Sequence, residues 1–175
     1  MVRSVVSAAM HTPEPQSVIL SLRYFSLARV PVAAGVQGFI VVDLPPEEAG
    51  PFLAACDKHS LGFIPLIAPT TLDSRLERLV QCARGYLYCV SITGITGARS
   101  ALPEDLAAFV SRVRAVAGHI PLAVGFGLSE RSHVDAVGEF ADGAVMGSAL
   151  IRHLEANGPS GVREWVQSVC PTPKP

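Results

Sequence analysis

From Gln37 onward the chain alternates between short apolar runs, each closed by a small or polar residue, and longer stretches that are apolar on one face only. The runs are GFIVVD (38–43), GFIPLIA (62–68), YLYCVS (86–91), IPLAVGF (120–126) and GAVMGS (143–148), and their starts lie 24, 24, 34 and 23 residues apart. Unbroken apolar runs of this length suit strands buried on both faces, and the spacing is that of one strand followed by one helix. The stretches between them carry helix signals. LPPEEAGPFLAACDKHS has Pro45-Pro46 at its start, Glu47 and Glu48 where a first turn is expected, and Leu53, Ala54 and Cys56 behind them. In TTLDSRLERLVQCA (70–83), Thr and Asp residues are placed as caps ahead of Leu76, Leu79 and Val80. LPEDLAAFVSRVRAVAG (102–118) repeats Leu106, Phe109, Val110, Val113 and Val116 at helical spacing and stops at Gly118. SERSHVDAVGEF (129–140) begins on Ser129 as a cap, with Glu130 next.

Repeated strand–helix units predict an α/β fold with a parallel sheet, either a barrel or a doubly wound sheet. Five units are clear in the 175 residues. A closed (β/α)8 barrel needs eight, in about 250 residues. The segment before Gln37 predicts one more helix (Arg23 to Ala34) and leaves room for a strand at 18–22, and TPEPQ (12–16) reads as a linker or turn. The count stays short of eight.

Composition narrows the function classes. Apolar residues make up 49% of the chain and charged residues 17%, with a net charge of −1, so the clustered basic face that nucleic acid demands is missing. No run reaches the 18 or so apolar residues of a membrane span. Cys56, Cys82, Cys89 and Cys170 form no CxxC pair and no metal-ligand spacing with histidine, which predicts buried reduced thiols in a cytoplasmic protein. The five histidines are scattered and are expected at surface or capping positions rather than as ligands or bases. The opening MVRSVVSAAMHTP has a faint transit-segment character, but an unstructured start is the simpler expectation.

The candidate chemistry lies where strands end. AVGFGLSE (123–130) finishes an apolar run on Gly125-Phe126-Gly127, and GAVMGSALI finishes the next on Gly147-Ser148. Taken alone, each is an ordinary tight turn. Taken together, consecutive strand ends with glycine at the helix junction resemble a barrel phosphate site, with helix N–H groups as donors and Ser148 as a helix cap. SITGITGARS (91–100) adds a third glycine-rich loop containing Thr96-Gly97. A Rossmann site is disfavoured, since no GxGxxG follows the first strand and no acid lies about 20 residues on.

GFIVVDLPPEEA, PLIAPTT, YLYCVSITGITGAR, AVGFGLSE and DGAVMGSALI, in this order, resemble the α subunit of tryptophan synthase, and HVDAVGEFADGAVMGSALI leans towards the α domain of the fungal bifunctional enzyme. The resemblance runs from about Ala33 to His153. It implies an incomplete TIM-type (β/α)8 barrel of about five βα units, divided as a divergent segment (1–32), the partial barrel (33–170) and a tail (171–175). It also implies cleavage of indole-3-glycerol phosphate to indole and glyceraldehyde 3-phosphate, with indole passing to a β subunit or domain. That partner would carry pyridoxal phosphate, and no cofactor is expected in this chain. By the same resemblance Gly97, Phe126, Gly127, Gly147 and Ser148 match the substrate phosphate site. Tyr88 matches the pocket tyrosine, Ile40, Leu66 and Thr96 the pocket lining, and Asp43 a strand-end aspartate near the β partner.

The pattern also departs from that family. Its two catalytic carboxylates, a Glu acid/base and an Asp that polarises the indole nitrogen, come from its second strand and the loop after it, and neither has a counterpart here. ILSLRYFSLARV stands where the family has a YYNP-type strand. Retro-aldol cleavage needs protons moved at both the ring carbon and the glycerol hydroxyl, with charge held on the ring nitrogen. Asp43 alone cannot do both jobs. The expectation is therefore weak or no cleavage by this chain alone, with a non-catalytic phosphate-binding or partner-binding remnant as the alternative.

Overall fold

The computed structural model describes residues 35–90, 102–125 and 127–170. They fall into two compact units, one holding residues 35–66 and 72–87 and the other 67–71 and 88–170. The strand–helix alternation is present in the order read from the hydrophobic pattern.

In the first unit, β1 (Gly38–Phe39) pairs in parallel with β2 (Gly62–Phe63), Gly38 opposite Gly62. The run expected as one strand over 62–68 is two: β2 ends at Phe63 and β3 is Leu66–Ile67. Pro65, fully buried between them, has no N–H to donate to a ladder, so the pairing cannot run through it. The first run is shorter than expected as well, since β1 stops at Phe39 and residues 42–43 form a turn.

Helix α1 (Gly50–Lys58) starts later than its prolines suggested. Pro45 and Pro46 carbonyls accept from the Glu48 and Ala49 N–H groups in a turn, which leaves Glu47 and Glu48 ahead of the helix, with Pro51 inside its first turn. Its apolar face sends Phe52, Ala55 and Cys56 into a core with Leu44, Leu61, Phe63 and Cys82. Phe52 meets Phe39 and Phe63 edge to face at 5.5 and 5.7 Å, the arrangement that ring quadrupoles favour. Helix α2 (Asp73–Cys82) buries Leu76, Leu79 and Cys82. No side chain caps it. Thr71 instead closes the preceding turn, its Oγ1 accepting from the Ala68 N–H at 3.0 Å.

The second sheet has the order β3–β4–β5–β6, with β4 at Leu87–Val90, β5 at Leu122–Gly125 and β6 at Gly143–Val145. Strands β5 and β6 are parallel, with Ala123 opposite Gly143 and Gly125 opposite Val145. Helix α3 (Leu106–Ala117) buries Leu106, Phe109, Val110 and Val113 and ends at Gly118 as expected, though Val116 faces solvent. Arg112 on this helix donates to the Thr71 and Pro69 carbonyls at 2.9 and 3.0 Å and tethers the loop after β3. Helices α4 (Arg131–Val137), α5 (Ser148–Asn157) and α6 (Val162–Val169) complete the chain, with His153 of α5 stacked on Trp165 of α6. The helix and strand expected before Gln37 lie outside the described residues.

The starts of β5 and β6 are joined by one carboxylate. Asp142 Oδ2 accepts from the Leu122 N–H at 2.7 Å and pairs with Arg114, whose guanidinium also donates to the Ile120 carbonyl at 3.0 Å. Partial burial pulls this carboxyl upward, but the Arg114 contact and the Leu122 N–H outweigh it and hold its pKa below the usual range. A depressed carboxylate contributes stability above its unfolded-state pKa and loses it as pH falls through the folded value. Asp142→Ala is therefore expected to cost about 1 kcal/mol near pH 7, less than the roughly 1.5–3 kcal/mol of a buried charged hydrogen bond because the group is half exposed. Urea melts should show that difference shrinking below about pH 4, where the unfolded carboxyl itself protonates. An unchanged gap at low pH would show that the charge of Asp142 contributes nothing.

Three of the four cysteines are buried and free, and burial pushes the thiols of Cys56 and Cys89 up to about 11 and about 12. Cys170 departs from the expectation of buried thiols: it lies exposed just past the end of α6.

Candidate functional site

Two of the sequence-marked glycines follow the ends of neighbouring strands of the second sheet. Gly125 pairs with Val145 where β5 and β6 end, and Gly127 and Gly147 each come two residues later in the chain. The glycines are there for different physical reasons. At Gly125, a Cβ would overlap the hydroxyl end of Tyr88, a buried side chain of β4, so only a hydrogen leaves room for that ring. Gly127 has φ +80°, a conformation that L side chains avoid. Gly147 has neither constraint: its φ is −102° and a Cβ built on it meets nothing within 4 Å among the described residues. Among the described residues, packing gives no reason for a glycine at 147.

Gly147 is the residue before α5, and Ser148 is the first residue of that helix rather than its cap, with no hydrogen bond from its side chain to the helix backbone. Both are exposed. The first N–H groups of a helix have no acceptor within it, and they lie at the positive end of its dipole, which suits an anion. Ser129, expected from the sequence to cap α4, does not: Glu130 holds the cap position and no side chain caps the helix. The Ser129 backbone N–H donates to Nδ1 of His133 at 3.2 Å. His133 was not singled out by the sequence reading, although the signal is visible: a histidine four residues after the serine that follows GFGL. It is 4% exposed, contrary to the surface position expected for the histidines.

The remaining assignments divide by position. Tyr88 lies in β4 on the same unit as Gly127, Gly147 and Ser148. Ile40, Leu66 and Asp43 belong to the first unit; Ile40 and Leu66 are half-buried. Asp43 is an exposed turn residue beyond β1, not the end of a strand, because the strand closes at Phe39. Thr96, Gly97 and Phe126 lie outside the described residues. Every Asp and Glu from Asp43 to Glu164 is exposed. Glu47, Asp57 and Asp142, whose carboxyls are displaced, all move downward. Glu47 is lowered mainly by its own backbone N–H, Asp57 by its hydrogen bond from Arg84, and Asp142 by Arg114 and Leu122 against the pull of burial. Among the described residues no group of three or more His, Cys, Asp or Glu is placed to hold a metal, and no helix is long and apolar enough to cross a membrane.

Alternating parallel strands and helices with glycine-ended strands define an α/β protein of the incomplete (β/α)8-barrel class. The chain matches the family described as Tryptophan synthase alpha chain over residues 21–170. It belongs to that family. It is 50% identical over 133 residues to the tryptophan synthase alpha chain of Roseiflexus castenholzii, covering 76% of this chain and 51% of the relative. It is 45% identical over 141 residues to the tryptophan synthase of Saccharomyces cerevisiae, covering 78% of this chain and 20% of that one. Among solved structures, Mycobacterium tuberculosis tryptophan synthase superposes with a TM-score of 0.75 at 38% identity, covering 85% of this chain and 56% of the other. The α2β2 tryptophan synthase complex of Pyrococcus furiosus gives 0.74 at 32% identity, covering 87% and 61%. The chain thus spans about half the length of the curated alpha-chain relatives it matches.

Proposed function

We propose that this chain supplies the phosphate-gripping part of an indole-3-glycerol phosphate lyase site in tryptophan biosynthesis, pairs with a tryptophan synthase β subunit or domain, and is weak or inactive in cleavage by itself. The observation that carries the binding half is the start of α5 at Gly147-Ser148, just past the end of β6, where a Cβ on Gly147 would meet none of the described residues and the first helix N–H groups lie at the edge. A phosphate seated there would be held by backbone amides and the α5 dipole, with Gly97 and Phe126 adding the walls that the family resemblance assigns them. Tyr88 would border the rest of the substrate. The β partner is favoured by the α2β2 assembly of the Pyrococcus relative, and pyridoxal phosphate would belong to that partner.

Weak cleavage by this chain follows from its carboxylates. A general acid at neutral pH needs a carboxyl raised by burial, and every carboxyl from Asp43 to Glu164 is exposed. The same observation favours the non-catalytic remnant as the second reading. With a β partner present, the purified chain is expected to release indole from indole-3-glycerol phosphate at least about a hundredfold more slowly than a full-length relative, since a positioned acid–base group contributes 10²–10⁴-fold. Glycerol 3-phosphate should still bind. Indole release at the full-length rate would refute the inactive reading, and absent glycerol 3-phosphate binding would refute the phosphate site.

A further inference from the structure

We propose that His133 is a positioning residue for the glycine loop between β5 and α4, holding it in its ligand-ready shape through an acceptor nitrogen; this rests on the phosphate reading of Gly127 and Gly147. The Ser129 N–H can only donate, so the Nδ1 that it reaches at 3.2 Å must carry a lone pair. The ring is therefore neutral with its proton on Nε2. That Nε2 has no partner among the described residues although the side chain is 4% exposed. A buried N–H without an acceptor is a cost that an apolar residue of similar size would avoid. Keeping histidine here makes physical sense for the bond at its other nitrogen.

That bond falls at a useful place. Residues 127–129 leave β5 on a glycine with φ +80°, bury Leu128 at 2% exposure, and then reach the Ser129 N–H. The loop is thus pinned at the strand end by the room that Gly125 leaves for Tyr88, in the middle by Leu128, and at its far end by His133. The last pin also decides which amides face a ligand: the Ser129 N–H is taken by His133 and is not offered to phosphate. His133 acts through the backbone it holds.

The test compares His133→Gln with His133→Leu in the full chain, titrated with glycerol 3-phosphate. Glutamine carries a carbonyl that can accept from the Ser129 N–H, and its affinity should stay within about twofold of wild type. Leucine fills the space without an acceptor. It should weaken binding about tenfold while its melting temperature stays within a few degrees, because it also removes the orphaned Nε2–H. A purely structural histidine would instead show affinity tracking stability across both variants, and wild-type affinity in His133→Leu would overturn the proposal. Nitrogen-15 spectra of the wild-type ring supply a readout that needs no variant: the proton belongs on Nε2, and finding it on Nδ1 overturns the assignment. If wild type takes up no glycerol 3-phosphate, the phosphate reading fails separately. The hold on the loop is then decided by hydrogen exchange at the Ser129 amide, slow in wild type and His133→Gln and faster in His133→Leu; equal rates in all three would reject it.

Discussion

Gly125→Ala is expected to destabilise the chain by about 2–3 kcal/mol, a large effect for one methyl group. The added Cβ would lie on the hydroxyl end of Tyr88, with the ring's Cε1 only 3.1 Å away. Tyr88 is buried on β4, between β3 and β5 in the sheet, so its ring must shift against close-packed neighbours to clear the methyl. Overpacking of this kind costs 1–3 kcal/mol where neighbours cannot give way. The cause can be isolated. Tyr88→Ala creates the missing space, so the double variant Gly125→Ala/Tyr88→Ala should be more stable than the sum of the two single losses predicts, by about 1–3 kcal/mol. Chemical denaturation of the four proteins gives the cycle. Additive losses would mean that the glycine is required for its backbone alone. Because Tyr88 is the residue matched to the family's substrate pocket, Gly125→Ala should also impair ligand binding more than an equal destabilisation elsewhere.

This pairing shows where sequence reasoning ran out. Periodicity made the order of strands and helices legible, since a period of 3.6 against an unbroken apolar run is a local property of the chain. The glycines at strand ends were legible for the same reason. Their separate causes were not. The need for Gly125 comes from a tyrosine 37 residues earlier, brought beside it only by the sheet, and no local pattern carries that information. The break at Pro65 was in principle readable, because a proline inside a strand pattern argues against a continuous ladder. The apolar residues on both sides of it outweighed that signal. Asp43 was misplaced because GFIVVD has the composition of a strand throughout, whereas only Gly38 and Phe39 find pairing partners in β2. Pairing is decided by what lies alongside, not by propensity. His133 was passed over because a single histidine on a helix face has many uses, and only the Ser129 N–H pointing at its Nδ1 selects one.

Gly147, not Gly127, is the glycine whose replacement separates phosphate binding from folding. Gly127→Val would remove binding, but with φ at +80° it forces a β-branched residue into a conformation costing about 1–2 kcal/mol, so binding and folding would be lost together. Gly147 separates the two. Its backbone, at φ −102° and ψ −69°, accepts L residues, and a Cβ there meets none of the described residues. Gly147→Val is therefore expected to melt close to wild type, with at most about 1 kcal/mol lost from a poorer residue at the helix start. Its isopropyl group would stand in the approach to the first N–H groups of α5. Affinity for glycerol 3-phosphate should fall at least about tenfold, the equivalent of 1.4 kcal/mol. Glycerol, which lacks the anion, serves as the control and should bind neither protein measurably. If Gly147→Val folds and holds glycerol 3-phosphate as tightly as wild type, the start of α5 does not grip the phosphate, and Gly147-Ser148 is only a turn into a helix.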